Sequence, residues 1–481
     1  MEDHTKLAEL ALSLTEDKGA TYADIRIEEI GEENITVGNG TVELLERSED
    51  FGFGIRVIVN GAWGFAASAD VDEENVRKVS ERAVEVARAS SRVKGDDVVL
   101  SPVQKVTDTY HTPVVSDPFS MPLKEKLDYL LHIDGLIRGV SGINQSEAYM
   151  SFIRRNKFFA SSEGSVIRQT LTQSGGGISA AAMRSHREMG KRSYPNSSGQ
   201  HQTKGYELIR ELEFEKNAQR IAQEAVALLS ARECPSKTTT VILDGPQMSL
   251  QIHESIGHAL ELDRVFGTER NFSGTSFATP DNLNELRYGS EIVNVVNDST
   301  CPHGLGTYGY DDEGVKASKS YLIRDGILVG YLSSRDTAPR VGTNSNASMR
   351  ANSWTNVPIV RIINVNLLPG DKTLEQMISE TDDGIYMQTV RTWSIDDTRE
   401  NFEMGCEIGR EIKNGKLGEM IKNPSYSGST VQFWNSCDAI ANEDHWEIWG
   451  TPNCAKGQPA QNMPTSQGAS PARFRNVRVG S

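Results

Sequence analysis

Two Asn-Gly pairs set the tightest limit on what this chain can fold into. Asn39-Gly40 and Asn60-Gly61 interrupt a stretch from Asp24 to Ala67 in which apolar and polar residues alternate. Alternation matches the period of a strand with one buried face, and Asn-Gly tolerates the left-handed backbone of a tight hairpin. The stretch therefore reads as antiparallel hairpins. Helices flank it: Thr5 to Lys18 is amphipathic and stopped by Gly19, and Val76, Val79, Ala83, Val86 and Ala87 give the next segment an apolar stripe. A second block has the same order, a helix from Leu123 to Ile137 and then strands from Ser146 to Ile178 with turns expected at Asn156 and Gly164. No repeat at fixed period accompanies this likeness.

A long helix, about Glu215 to Ala231, runs into Cys234-Pro235-Ser236, where proline and serine break the helical pattern. The domain boundary is placed there, giving an N-terminal α+β domain (1–235) of antiparallel sheets with helices and a second domain (236–481). The second opens with a strand, Thr239 to Leu243, and the turn Asp244-Gly245-Pro246 into a helix. Strands and hairpins follow at Ile292 to Val296, Lys319 to Tyr331 around Asp325-Gly326, Ile359 to Leu367, and Glu403 to Ile421 around Asn414-Gly415. The expectation is an α+β chain whose C-terminal half is a mostly antiparallel, barrel-like β-domain. The Asn- and Gly-rich run from Val341 to Ala347 suits a loop, with a flap over a site as one role for it.

Composition narrows the function classes. The net charge is 50 − 66 = −16, which argues against a nucleic-acid footprint. No apolar run approaches the ~18 residues of a membrane span. The opening MEDHTKLAEL lacks the basic and apolar regions of a signal peptide. Five widely spaced cysteines, an odd number, suit a reducing compartment. A soluble cytoplasmic protein is expected.

The helix after Asp244 carries His253-Glu254-Ser255-Ile256-Gly257-His258. In zinc peptidases two histidines four residues apart share one helical face, and the glutamate beside the first takes a proton from water. Here the spacing is five, which on a regular helix separates the imidazoles by roughly 140°. A π-type turn, with about 4.4 residues per turn, brings them back together, and Gly257 is expected to ease that distortion. A catalytic centre also needs a third protein ligand. Cys454, Cys437, Cys406, Cys301, His303 and His445 are all open candidates on composition. The null alternative is an amphipathic helix whose histidines are accidental. Asp311, Asp312 and Glu313 read first as a hydrogen-bonded turn, and Trp434, Trp446 and Trp449 as core or interface.

Beyond that motif, Asp311-Asp312-Glu313-Gly314, Ile395-Asp396-Asp397, the run from Gly409 to Gly418, and Gly450-Thr-Pro-Asn-Cys-Ala-Lys-Gly-Gln are each similar to segments of one family. Together with the N-terminal order of hairpins and helix, the chain resembles the catalytic, TldD-type subunit of the TldD/PmbA metallopeptidases, once described as modulators of DNA gyrase. Ala455 departs from the glycine usual after the cysteine. The resemblance implies zinc held by His253, His258 and Cys454, with Glu254 as general base, and a closed homodimer or a heterodimer with a PmbA/TldE-like subunit. The expected activity is hydrolysis of small or unfolded peptides. The rivals are a non-catalytic metal-containing regulatory subunit and a metal hydrolase of non-peptide amides.

Overall fold

The computed structural model describes residues 4–185, 188–272 and 274–480. The Asn-Gly pairs do what their chemistry requires. Asn39, Gly40, Asn60 and Gly61 all have positive φ, and they join the strands Tyr22–Gly38, Thr41–Val59 and Ala62–Ser68 in antiparallel register. The second block, Ile143–Ser161 and Val166–Ser185, pairs onto the first, because Tyr22–Gly38 runs antiparallel to Ile143–Ser161. The two blocks thus form a single eight-stranded sheet. Helices Thr5–Asp17 and Glu73–Ser90 cover one part of it, and Leu123–Arg138 and Phe214–Leu228 another, each with its own apolar core.

One expected turn is absent. Asn156 lies within a strand, opposite Glu29 on one side and Thr170 on the other. Its amide donates to Glu29 Oε2 at 2.9 Å and accepts from Thr170 Oγ1 at 3.0 Å, so neighbours on both sides hold it extended. The turn falls at Gly164 alone, with φ +89°.

From residue 237 onward the chain is α+β with a closed five-stranded barrel. Its ring runs Lys237–Leu243, Ala472–Val479, Ser425–Ser429, Asn401–Lys413 and Asp383–Ile395, and closes on the first strand. The closing pair is parallel; the others are antiparallel. The stretch from Ile359 to Leu367 forms two short strands, Ile359–Val360 and Val365–Leu367, because the residues between them serve the site described below. The Val341–Ala347 loop is no flap: Asn346 accepts from the Ser333 N–H at 3.0 Å and donates to the Tyr331 carbonyl at 2.7 Å, tying the loop down.

The two regions are joined by buried ions. Arg56 reaches Asp24 at 2.7 Å and Glu313 at 3.2 Å, and Lys157 pairs with Asp312. Asp311 accepts the backbone N–H groups of Glu313, Val315 and Met349. The acidic run is therefore a hydrogen-bonded turn, as read first, and it is also the seam between the large sheet and the rest.

Candidate metal centre

Asp244 caps the Gly245–Ile252 helix by accepting the Gln247 N–H at 2.9 Å, with Pro246 in the first turn. At His253 the pitch changes. Residues His253–Gly257 form a π-turn in which the His258 N–H donates to the His253 carbonyl, followed by a 3-10 turn, His258–Leu260. The wider ring returns the second imidazole to the first: their centroids lie 4.7 Å apart, at 86°. The five-residue spacing is met by the turn it calls for. Gly257 has another role than expected, since its φ of −54° is open to any residue. A Cβ there would stand 2.7 Å from Ile362 Cδ1, so glycine supplies room for a close neighbour.

A π-turn is rare and needs support. Ser255, inside it, accepts from the buried Trp434 indole at 2.9 Å and donates to the Gln251 carbonyl. The Tyr288 hydroxyl donates to the Ser255 carbonyl. Trp434 is thus core, as read, and its one polar atom braces the motif.

Cys454 comes from the Glu447–Lys456 strand, whose pairing with Gln461–Ala469 slips between Thr451 and Cys454. Its Sγ lies 3.2 Å from His258 Nε2, and one donor atom each from His253, His258 and Cys454 fall within 4.8 Å of one another. Burial pushes this thiol up, but the Arg361 guanidinium and His258 outweigh it and bring it below the usual range. The other cysteines stand apart. Burial pushes Cys301 up to about 11 and raises Cys406 and Cys437 as well, as suits protonated thiols in a core. His303 is exposed, and His445 sits 3.9 Å from Glu375. Of the six third-ligand candidates, only Cys454 adjoins the two histidines.

Sequence reasoning assigned no role to the groups behind the donors. Glu261, fully buried, lies 2.8 Å from His258 Nδ1 and accepts the Ile362 N–H at 3.2 Å. Burial would raise its carboxyl, yet the Lys456 ammonium, then His258 and Arg264, hold it well below the usual range. Its signal was present, since position i+3 from His258 shares a helical face. Thr465 Oγ1 stands 3.4 Å from His253 Nδ1. Burial lowers both imidazoles, so they are neutral and able to bind a cation. Arg399, in a left-handed turn with φ +65°, donates to Glu254 Oε2 at 3.0 Å. Nothing local in the sequence marked Arg399.

His253, Glu254, His258, Arg399 and Cys454 border a cavity of about 550 Å³, open between Asn196–Ser198 of the N-terminal region, Trp393–Ile395 and Thr451–Cys454. A buried donor set beside a carboxylate, in an open cleft, is the kind of centre that metal-dependent hydrolases use.

Comparison with known proteins agrees. Residues 236–481 match the PmbA/TldA metallopeptidase C-terminal domain, 116–232 its central domain and 23–87 its domain 1. The chain belongs to this metallopeptidase family. It is similar to a metalloprotease of Methanocaldococcus jannaschii, 30% identical over 93% of this chain and 94% of the other. A zinc metalloprotease TldD homolog of Saccharolobus solfataricus is 22% identical over 97% and 98%. Among solved structures, a candidate modulator of a DNA gyrase from Thermotoga maritima shares the fold, with TM-score 0.77, 16% identity and 99% and 100% coverage. TldE from Thermococcus kodakarensis does so with TM-score 0.73, 15% identity and 98% and 99% coverage.

Proposed function

We propose that this chain is a zinc metallopeptidase that hydrolyses small or unfolded peptides, with His253, His258 and Cys454 as ligands and Glu254 as general base. The observation that carries the reading is the convergence of three buried donors from segments 196 residues apart in the chain. Their spacing suits zinc: bonds of about 2.3 Å to sulfur and 2.0 Å to nitrogen at a tetrahedral angle put the two atoms about 3.5 Å apart. The His258–Cys454 contact of 3.2 Å is close to that. Zinc, when bound, supplies Lewis acidity that polarises a carbonyl and acidifies water. The chain's own groups do the rest. Glu261 and Thr465 accept from the Nδ1–H groups and leave each Nε2 as the donor. The Glu254 carboxylate, held by Arg399, accepts the attacking water's proton and returns it to the leaving amine.

Among the described residues, the Asp383–Ile395 strand beyond Met387 pairs only with Asn401–Lys413, and the cavity lies along Trp393–Ile395. In this reading an extended peptide adds there as a strand, with little choice of sequence. The domain division at 235/236 then separates a substrate-enclosing part from the catalytic part, within a dimer formed with itself or with a TldE-like partner. Five unpaired cysteines suit action in the cytoplasm. No helix among the described residues is long and apolar enough to cross a membrane.

Elemental analysis of protein purified without added metal, with peptide turnover before and after chelation, tests the proposal. One zinc per chain is expected. Glu254→Gln should keep it and lose turnover on the order of 10²-fold or more. Cys454→Ser should lose zinc and activity together, while the same change at Cys301, Cys406 or Cys437 should leave zinc bound. Full activity without metal overturns the reading, and zinc-loaded protein inert towards peptides favours a regulatory subunit.

A further inference from the structure

A second cavity, also of about 550 Å³, adjoins the metal cavity and shares Ser198, Pro452 and Asn453 with it. Two segments stand between them. On one side the Ser198 carbonyl accepts from the Tyr149 hydroxyl, with His201 Nε2 at 3.1 Å. On the other, Pro452 and Asn453 occupy the slip in strand pairing between Thr451 and Cys454. The bulge that sets Cys454 beside the histidines therefore also puts Asn453 where the chambers meet. The far chamber is walled by Asn34, Ser151 and Gln173 of the large sheet and by Asn352 and Asn462 of the C-terminal region.

Its hydrogen-bonding inventory is uneven. Ser151 donates to Asn34 Oδ1 at 2.7 Å, Gln173 Nε2 donates to the Leu305 carbonyl at 3.2 Å, and Ser174 donates to the Lys204 carbonyl at 3.0 Å. That leaves Asn34 Nδ2, Gln173 Oε1 and the side-chain amides of Asn352, Asn453 and Asn462 with no partner among the described residues. A carboxamide offers the same donor and acceptor as a peptide group, so it pairs with main chain whatever the side chain. The chamber's one cationic side chain, Arg155, already donates to the Asn352 carbonyl, which leaves little to hold a phosphate.

We infer that the second chamber grips the main chain of an extended peptide beyond the bond being cut, through these five side-chain amides. The inference rests on the metallopeptidase reading and adds a length requirement to it. Peptides carrying one fluorogenic bond, lengthened stepwise on either side of it, provide the test with zinc-loaded full-length protein. Lengthening on one side should raise kcat/KM about tenfold, the worth of one or two hydrogen bonds. N-methylation of the added residues should abolish that gain, and exchange of their side chains should not. In Asn34→Leu/Gln173→Leu, and separately in Asn462→Leu, the ratio of long to short substrate should fall towards one. A gain that persists in both variants, or no gain in the wild type, overturns the inference. If no peptide is cleaved, the metallopeptidase reading fails alone. Anisotropy of a dye-labelled extended peptide then decides the chamber's role: binding about tenfold weaker in the double variant upholds it, and equal binding overturns it.

Discussion

The large N-terminal sheet is two runs of sequence-neighbour hairpins joined by the pairing of Tyr22–Gly38 with Ile143–Ser161, while the C-terminal barrel closes through strands brought from remote segments. In the sheet, Tyr22–Gly38 pairs with the very next strand, Thr41–Val59, residue against residue from Tyr22–Ile58 to Gly38–Thr41, with one slip at Thr36/Val37. In the barrel, Val241 faces Ile385 on one side and Phe474 on the other. Local pairing needs only alternation and a turn signal, whereas distant pairing is decided by packing that no short stretch records. The contrast extends to what each region carries. The sheet offers regular faces, while the barrel and its neighbours gather the motif helix, Cys454, Arg361 and Arg399 from remote segments.

The seam between the regions is where that contrast can be broken most severely. Arg56 is buried, and its removal leaves Asp24 without its ion partner and Glu313 with only Arg335 as a nearby cation. Arg56→Met should cost about 3–5 kcal/mol in urea unfolding, the penalty for orphaning buried charge. A loss below about 1 kcal/mol would mean that the Arg56 ion cluster adds little to the seam.

A pH effect comes next in size. His201 is buried, and burial depresses its imidazole to about 4, with the Ser198 carbonyl opposing. The unfolded chain's histidine titrates near 6.5, so between about pH 6.5 and 4 the unfolded state takes up a proton that the folded state refuses. Stability from this group is complete above pH 6.5 and declines as pH falls, by on the order of 3 kcal/mol. His201→Gln should flatten that part of the stability profile. An unchanged profile would assign acid sensitivity to other groups.

The smallest effect sharpens the comparison on the site side. Glu261→Gln should weaken zinc binding 10–100-fold, because the carboxylate that orients His258 is lost. Circular dichroism should be unchanged, since the substitution keeps the shape. Wild-type affinity in a competition titration would make Glu261 a structural ion partner of Lys456 and nothing more.

Legibility follows the same division. The hairpins at Asn39, Asn60, Asp325 and Asn414 were readable because left-handed backbone demands particular residues, and each has positive φ. The π-turn was readable from the five-residue spacing of His253 and His258. Asn156 misled because its side-chain bonds to Glu29 and Thr170 come from across the sheet. The residues 361–364 misled because an apolar run was bent to serve Glu261 and Cys454. Cys454 itself was reachable only through resemblance, since composition treats five cysteines alike. Arg399 was invisible, as its role depends on a turn whose partner, Glu254, lies 145 residues away.

The extra residue between the histidines also constrains how such a sequence can change over time. Substitutions around it can be tried one by one, but its deletion cannot be a small step. Dropping Ile256 would restore the four-residue spacing and turn everything beyond it by about 100°. Glu261 would then lose the contacts it makes to Lys456 and the Ile362 N–H. The helix start is pinned by Asp244, so the shift cannot be absorbed upstream. A lineage that carries the five-residue spacing is held to it, as by a ratchet, because no single deletion returns it to four with Glu261 still in place.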